Sequence, residues 1–131
     1  MLTSVSVRIP RALAGGAYVK FEKRAGDFAV ASVGVQLELD GAAIGRAAIS
    51  LGALGPSPRR ASAAEASLQG RAPADALLDA AVPLVRAATE PFDDTRGSAD
   101  YKRHLAGVLF RRVFEVALAR ARGQRVETLR V

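Results

Sequence analysis

The fold of this 131-residue chain is decided by residues 29–54, which read AVASVGVQLELDGAAIGRAAISLGAL. In the first half, apolar residues alternate with polar or small ones, which is the period-2 pattern of a strand with one buried face. Asp40 and Gly41 follow as a pair that favours the tight type I′ turn of a hairpin. Residues 42–54 are predicted to return as the partner strand. The segment therefore predicts an antiparallel β-hairpin.

Two more strands are predicted before the hairpin. Residues 18–22 alternate between two sides, after a glycine-rich stretch at residues 14–16 that is typical of a flexible turn. Residues 2–10 alternate as well, and Pro10 closes that run. Its apolar-side positions are Thr3, Val5, Val7 and Ile9. We expect residues 2–10 to form an edge strand and residues 17–54 to form the antiparallel sheet.

Helices are predicted over residues 59–122, followed by a tail at residues 123–131. The sequence GPSP at residues 55–58 stops the sheet, because proline has no N–H to donate to a ladder. Helical segments are predicted at residues 61–69 before Gly70, after Pro73, and at residues 98–122 between the N-cap Ser98 and Gly123. Strands followed by helices predict one α+β domain, an antiparallel sheet of three to four strands with about three helices packed on one face.

The last predicted helix has an apolar side and basic margins. Apolar residues recur at helical spacing along it, so we expect these positions to be buried. They are Tyr101, Leu105, Val108, Leu109, Val113, Val116 and Ala117. The basic residues around the margins are Lys102, Arg103, Arg111, Arg112, Arg120 and Arg122.

The composition narrows the classes of function. The chain has no cysteine, which excludes a disulfide, a thiolate metal site and an iron–sulfur cluster on these residues. Its single histidine, His104, has no metal-ligand spacing around it and is expected at the surface, so no catalytic or metal residue is predicted. No long uncharged apolar run and no secretory signal occur, which favours a cytoplasmic protein without a membrane partner.

The net charge of +6 allows a nucleic-acid partner in principle, because lysine and arginine neutralise phosphates. Aromatic residues make up only 5% of the chain, however, and they form no stacking motif. We therefore expect no nucleic-acid partner, and interpret the charge as a basic surface or a protein interface.

Lys20, Arg24 and Asp27 are the candidate site residues. They place two cations and an anion in a short connection beside the predicted sheet, an arrangement that suits an anionic cofactor. Spacing alone favours the plainer interpretation, a local surface salt bridge. A second acidic pair, Asp93 and Asp94, allows a Mg²⁺ site, but two aspartates before a helix more often charge its N-terminal end.

Three segments carry a family resemblance: YVKFEKRAGDFA at residues 18–29, LGALGPSPRRA at residues 51–61, and DTRGSADYKRHL at residues 94–105. In this order they resemble the C-terminal domain of the FAD-binding (medium) subunit of molybdenum hydroxylases, the family of carbon monoxide dehydrogenase and xanthine dehydrogenase. The resemblance covers roughly residues 17–120. Residues 2–10 resemble the strand that ends the FAD domain of that family.

The resemblance implies a role beside a flavin. Lys20 matches the family lysine associated with FAD, whereas Arg24, Asp27 and Phe28 align with loop positions close to the isoalloxazine. The phosphates and adenine would be held mainly by a preceding FAD domain, whose glycine-rich loops do not occur in residues 1–131. We therefore expect no FAD on this chain alone, and a cofactor shared with a separate FAD-binding domain.

The implied function is a non-catalytic part of an oxidoreductase complex. The domain would cover the flavin and dock partner subunits while electrons pass from a molybdenum cofactor through 2Fe-2S clusters to FAD. The implied partners are the FAD-binding domain, a molybdopterin large subunit and a 2Fe-2S small subunit. The alternative is a stand-alone protein-interaction or homo-oligomerising module without flavin.

Overall fold

The computed structural model describes residues 1–10 and 13–127. These residues form a four-stranded antiparallel sheet in the order β1-β2-β3-β4, with three helices packed on one face. The α+β architecture predicted from the sequence is confirmed. The strands are β1 (Ala14–Phe21), β2 (Ala31–Asp40), β3 (Ala43–Gly52) and β4 (Arg59–Arg60), and the helices are α1 (Ser62–Leu68), α2 (Asp75–Ala87) and α3 (Ala99–Ala121).

The central hairpin of β2 and β3 forms as the alternating pattern predicts. Asp40 pairs with Ala43 at its closed end. Gly41 has a φ of 59°, in the left-handed region that a side chain would disfavour. One feature was not predicted, a register shift between Glu38 and Leu39 that indicates a β-bulge.

The core lies between the sheet and α3. Cross-strand rows such as Val19–Val33–Leu51 are buried on the helical side. Residues of opposite parity, among them Tyr18 and Ser50, are exposed on the other face. The buried side chains of α3 that complete the core include Leu109, Phe110, Val113, Phe114 and Ala117.

Gly15 was predicted to lie in a flexible turn, and that prediction is wrong. The residue lies inside β1 and is buried against α3. A Cβ atom on Gly15 would stand 2.2 Å from the backbone nitrogen of Ala121 and 2.3 Å from the carbonyl oxygen of Ala117. The glycine is therefore needed for the close approach of strand and helix.

Residues 2–10 do not form the predicted edge strand. Residues 1–10 belong to no strand or helix, and the alternating side chains of Val5, Val7 and Ile9 are 74%, 83% and 87% exposed. An alternating pattern gives a strand only where its backbone finds a ladder partner, and none of the described strands pairs with this segment. Arg8 reaches the sheet through its side chain, which forms an ion pair with Glu38.

The last helix, Ala99–Ala121, is one residue shorter at each end than the predicted residues 98–122. The Ser98 hydroxyl accepts a hydrogen bond from the Tyr101 N–H at 3.2 Å, and Gly123 follows the helix with a φ of 79°. Three side chains differ from expectation, and the smallest difference is at Val108, which is only half-buried. Tyr101 is 42% exposed, and its ring lies beside Gly97, where an added Cβ atom would stand 2.8 Å from it. Lys102, which was predicted at the basic margin of the helix, is only 3% exposed.

Among the described residues, no helix combines the length and the apolar character that a membrane span would need.

Candidate functional site

The β1–β2 loop, residues 22–30, carries the candidate residues. A turn at its tip is closed by a hydrogen bond from the Asp27 N–H to the Arg24 carbonyl at 3.0 Å. Gly26 has a φ of 84° in this turn, which explains why a glycine stands there. At the base of the loop, the Val30 N–H donates to the Phe21 carbonyl at 2.8 Å. The loop therefore has a defined shape, set by its own backbone.

Lys20 stands at the end of β1 on the sheet face opposite the helices, because it shares the side of Tyr18. Its ammonium forms an ion pair with Glu22 and donates to the Asp27 carbonyl oxygen at 3.2 Å. The hydrogen bond with Glu22 raises the pKa of Lys20 above its ordinary value, so this side chain is charged at neutral pH.

Glu22 lies in the candidate site and was not predicted from the sequence. Its pKa is lowered, first by the hydrogen bond from Lys20 and second by the Gly26 N–H, which donates to Glu22 Oε1 at 3.2 Å. The local salt bridge expected from spacing thus exists, but its acid is Glu22 and not the side chain of Asp27.

The side chains of Arg24 and Asp27 form no hydrogen bond or ion pair with each other. Arg24 is exposed and forms no side-chain hydrogen bond or ion pair with any described residue. The Asp27 carboxylate accepts from the Phe28 N–H at 2.7 Å and lies 3.5 Å from the Arg96 guanidinium. Lys20 and Asp27 are brought together through the Asp27 main chain, while Arg24 is exposed at the surface.

The α2–α3 loop, residues 88–98, lies beside the β1–β2 loop. Its Asp94 and Gly97 exchange two backbone hydrogen bonds, of 3.1 and 3.2 Å, in a tight turn. The Asp94 carboxylate accepts from the Arg96 N–H at 2.8 Å and forms an ion pair with Lys102 at 2.8 Å. The hydrogen bond from Lys102 is the largest cause that lowers the pKa of Asp94.

The acidic pair in the α2–α3 loop serves the start of α3. Asp93 accepts a hydrogen bond from the Ala99 N–H at 2.6 Å, while Asp94 is engaged by Lys102. Within residues 1–10 and 13–127, no group of three or more His, Cys, Asp or Glu residues could hold a metal ion. These contacts favour the helix-terminus interpretation of Asp93 and Asp94.

Side chains of Lys23 and Arg96 join the two loops. The Lys23 ammonium donates to the Thr95 carbonyl oxygen at 2.7 Å, and Arg96 pairs with Asp27 at 3.5 Å. The Arg96 guanidinium carbon also lies 5.6 Å from the centroid of the Phe28 ring, within cation–π range. Sequence spacing could not reveal these contacts, because Arg96 follows Asp27 by 69 residues.

Two exposed aromatic side chains, Phe28 and Phe92, lie at this end of the molecule. Their residues are 80% and 62% exposed, and each ring lies near a cation, Arg96 and Lys102 respectively. A flat apolar ring beside several positive charges can contact a flat, anionic ligand.

An open groove of about 770 Å³ lies on the sheet face opposite the helices. Arg60 and Arg120 contribute to its lining, together with Tyr18, Gln36 and Ser50. None of the described residues that line it is a carboxylate or a histidine, so it holds no pairing of a nucleophile with a base.

His104, as expected, lies at the surface. Its Nδ1 is 3.5 Å from the Arg86 guanidinium of α2. The end of the domain with the two loops is therefore the strongest candidate site.

Comparison with known proteins now identifies the family. Residues 16–117 match the family described as the CO dehydrogenase flavoprotein C-terminal domain. The chain belongs to this family. The match includes both loops of the candidate site.

Relatives and solved structures agree with this assignment. The carbon monoxide dehydrogenase medium chain of Afipia carboxidovorans is 38% identical over 122 residues, 93% of this chain and 42% of the relative. The glyceraldehyde dehydrogenase medium chain of Sulfolobus acidocaldarius is 33% identical over 98 residues, 75% of this chain and 35% of the relative. The chain thus spans less than half the length of these relatives.

Among solved structures, the reconstituted CO dehydrogenase from Oligotropha carboxidovorans superposes with a TM-score of 0.83 at 38% identity. The likeness covers 87% of this chain and 40% of the other. The resemblance found in the sequence is therefore confirmed for the family and for the fold.

Proposed function

We propose that this domain is the flavin-covering part of a molybdenum hydroxylase flavoprotein, and that its β1–β2 loop faces an FAD held mainly by a separate FAD-binding domain. Family membership supports this role. The observation that carries it is the loop itself, which has a defined backbone shape and yet exposes Phe28 to 80% beside Lys20, Arg24 and Arg96.

The residues present fit a flavin cofactor in chemical type. FAD has a flat ring system and a pyrophosphate, which call for an apolar surface and for positive charge. Phe28 supplies an exposed ring, and Arg24 a guanidinium that no described residue neutralises. Asp27 is the one acid among the predicted residues, and Arg96 partly neutralises it.

Each predicted residue then has a distinct role. Lys20 places a fixed positive charge at the rim of the sheet, Arg24 binds an anionic group, and Asp27 holds the loop tip through its Phe28 and Arg96 contacts. FAD, when bound, would pass electrons to an external acceptor. The residues of this chain tune it electrostatically and shield it from water.

The partners proposed for the domain are those that the family resemblance implies. A molybdopterin large subunit and a 2Fe-2S small subunit would complete the complex, with the FAD-binding domain. The relatives are named for carbon monoxide and for glyceraldehyde, although they share this domain. We infer that the substrate is chosen by another chain and that this domain serves the flavin end.

Native mass spectrometry of the tagged chain, purified gently from its own cells, tests the proposal. Co-purification with an FAD-binding protein, a large subunit and a small subunit, together with the mass of FAD, is the expected result. A monomer or homo-oligomer without flavin would contradict it and would favour the alternative, a stand-alone interaction module.

A further inference from the structure

We propose that Arg96 is a positioning residue, which fixes Asp27 and Phe28 at the tip of the β1–β2 loop in the orientation they present to the flavin. This inference rests on the proposed function of that loop. Arg96 itself lies on the α2–α3 loop and is not assigned to the flavin.

Two contacts of one side chain carry the inference. The Arg96 guanidinium lies 3.5 Å from Asp27 Oδ1 and 5.6 Å from the centroid of the Phe28 ring. A planar guanidinium can pair with a carboxylate and stack on a ring at the same time, which an ammonium cannot do equally well. A second link, from Lys23 to the Thr95 carbonyl at 2.7 Å, holds the two loops together beside it.

Arg96 lies on a loop that is held by its own hydrogen bonds and by an ion pair with α3. The Arg96 N–H donates to Asp94 Oδ1 at 2.8 Å, inside the turn closed by Asp94 and Gly97. Asp94 is in turn held by Lys102, whose side chain is only 4% exposed. Phe28 is 80% exposed and has little packing of its own, so its place depends on this neighbour.

An unpaired donor argues against a role in stability alone. The Nε atom of Arg96 is shielded from solvent and has no hydrogen-bond partner among the described residues. Leaving such a donor unpaired has a free-energy cost, which a residue selected only for stability would avoid. The geometry instead serves the two groups in front of the guanidinium, Asp27 and Phe28.

The contact is tested first in the chain alone, by NMR. A nuclear Overhauser effect between the Arg96 Hε and the Phe28 ring protons is expected in the wild type. The substitution R96Q should raise amide exchange rates over residues 24–29 by about twofold to fivefold, the range for one exposed ion pair with a cation–π contact. R96K should give an intermediate change, because it keeps the charge and loses the planar fork.

The control is R112Q, which removes the same charge from an exposed residue of α3 that pairs with no other described residue. It should leave exchange in the β1–β2 loop unchanged. Thermal unfolding of each variant confirms that it is folded. Absence of the Overhauser effect, or equal exchange rates in R96Q and R112Q, would overturn the inference.

A second measurement separates the failure of the inference from the failure of the proposed function. In the complex with an FAD-binding domain, R96Q should change the flavin fluorescence and R112Q should not. If K20A changes the flavin signal and R96Q does not, Arg96 has no positioning role while the proposed function stands. If K20A, R96Q and a replacement of residues 24–28 all leave the flavin signal unchanged, the proposed function is overturned, and the positioning role with it.

Discussion

The buried ammonium of Lys102 lies 2.8 Å from the carboxylate of Asp94 and donates at 2.8 Å to the carbonyl oxygen of Phe92. One lysine of α3 thus holds both the acid and the backbone of the α2–α3 loop. Since Asp94 also accepts from the Arg96 N–H, the pair anchors the turn that presents Arg96.

Replacing Lys102 by methionine should loosen the α2–α3 loop without opening the core. K102M keeps an apolar stem of similar length but loses both contacts. We expect faster amide exchange at residues 93–98 and a Tm lower by about 3–5 °C, the size of one or two lost hydrogen bonds in a domain of this length. The control is R103M, on the neighbouring and more exposed residue; a K102M variant that behaves like R103M would contradict the anchor.

Two adjacent glycines of β1 should respond differently to alanine. A Cβ on Gly15 would meet the α3 backbone at 2.2 and 2.3 Å, so strand and helix must separate. We expect G15A to lower the free energy of unfolding by about 1–3 kcal/mol or more. On Gly16 the nearest atom, at 2.3 Å, is the side-chain oxygen of Gln36, which can rotate away.

G16A should therefore change the free energy of unfolding by less than about 1 kcal/mol. Urea denaturation of both variants measures the two values. Equal losses of unfolding free energy in G15A and G16A would show that the close approach of β1 and α3 does not require a glycine at position 15.

The sequence predicted the elements whose causes are local. The hairpin follows from period-2 alternation and the pair Asp40-Gly41, and α3 begins directly after Ser98 because a serine there can accept an N–H of the first turn. The prediction failed where the cause lies far along the chain. Gly15 is explained only by Ala117 and Ala121, about a hundred residues away.

The candidate site follows the same division. Lys20, Arg24 and Asp27 could be proposed from the sequence because they lie close together in one short connection. Arg96 could not, since its contact with Asp27 spans 69 residues. Lys102 was assigned to a basic margin because a charged residue is rarely buried unless it is paired, and its partner Asp94 belongs to another element.

The acid limb of stability should depend on Glu22 and Asp94. In the folded protein the pKa of each carboxyl is lowered from its ordinary value, 4.5 for Glu22 and 3.8 for Asp94. As pH falls, the unfolded chain therefore binds more protons than the folded protein does. The two carboxylates stabilise the folded protein fully at pH values above their ordinary pKa values. This stabilisation is lost as pH decreases through the lowered pKa values of the folded state.

Unfolding measured between about pH 6 and pH 2 should accordingly show a shallower acid decline in D94N than in the wild type. E115Q is the control, since Glu115 is exposed on α3 and pairs with no described residue. Parallel acid limbs for the wild type and D94N would refute a role of the Lys102 ion pair in the pH dependence. E115Q should show the same decline of stability with falling pH as the wild type.

The most direct test of the proposed function is a titration of FAD into the complex of this chain with an FAD-binding domain, followed by flavin fluorescence. We expect K20A to weaken FAD binding by about threefold to tenfold and to alter the flavin spectrum, because a fixed positive charge beside an anionic cofactor is lost. R112A, which removes an exposed cation elsewhere, should match the wild type. Identical affinities and spectra for K20A, R112A and the wild type would contradict the claim that this loop faces the flavin.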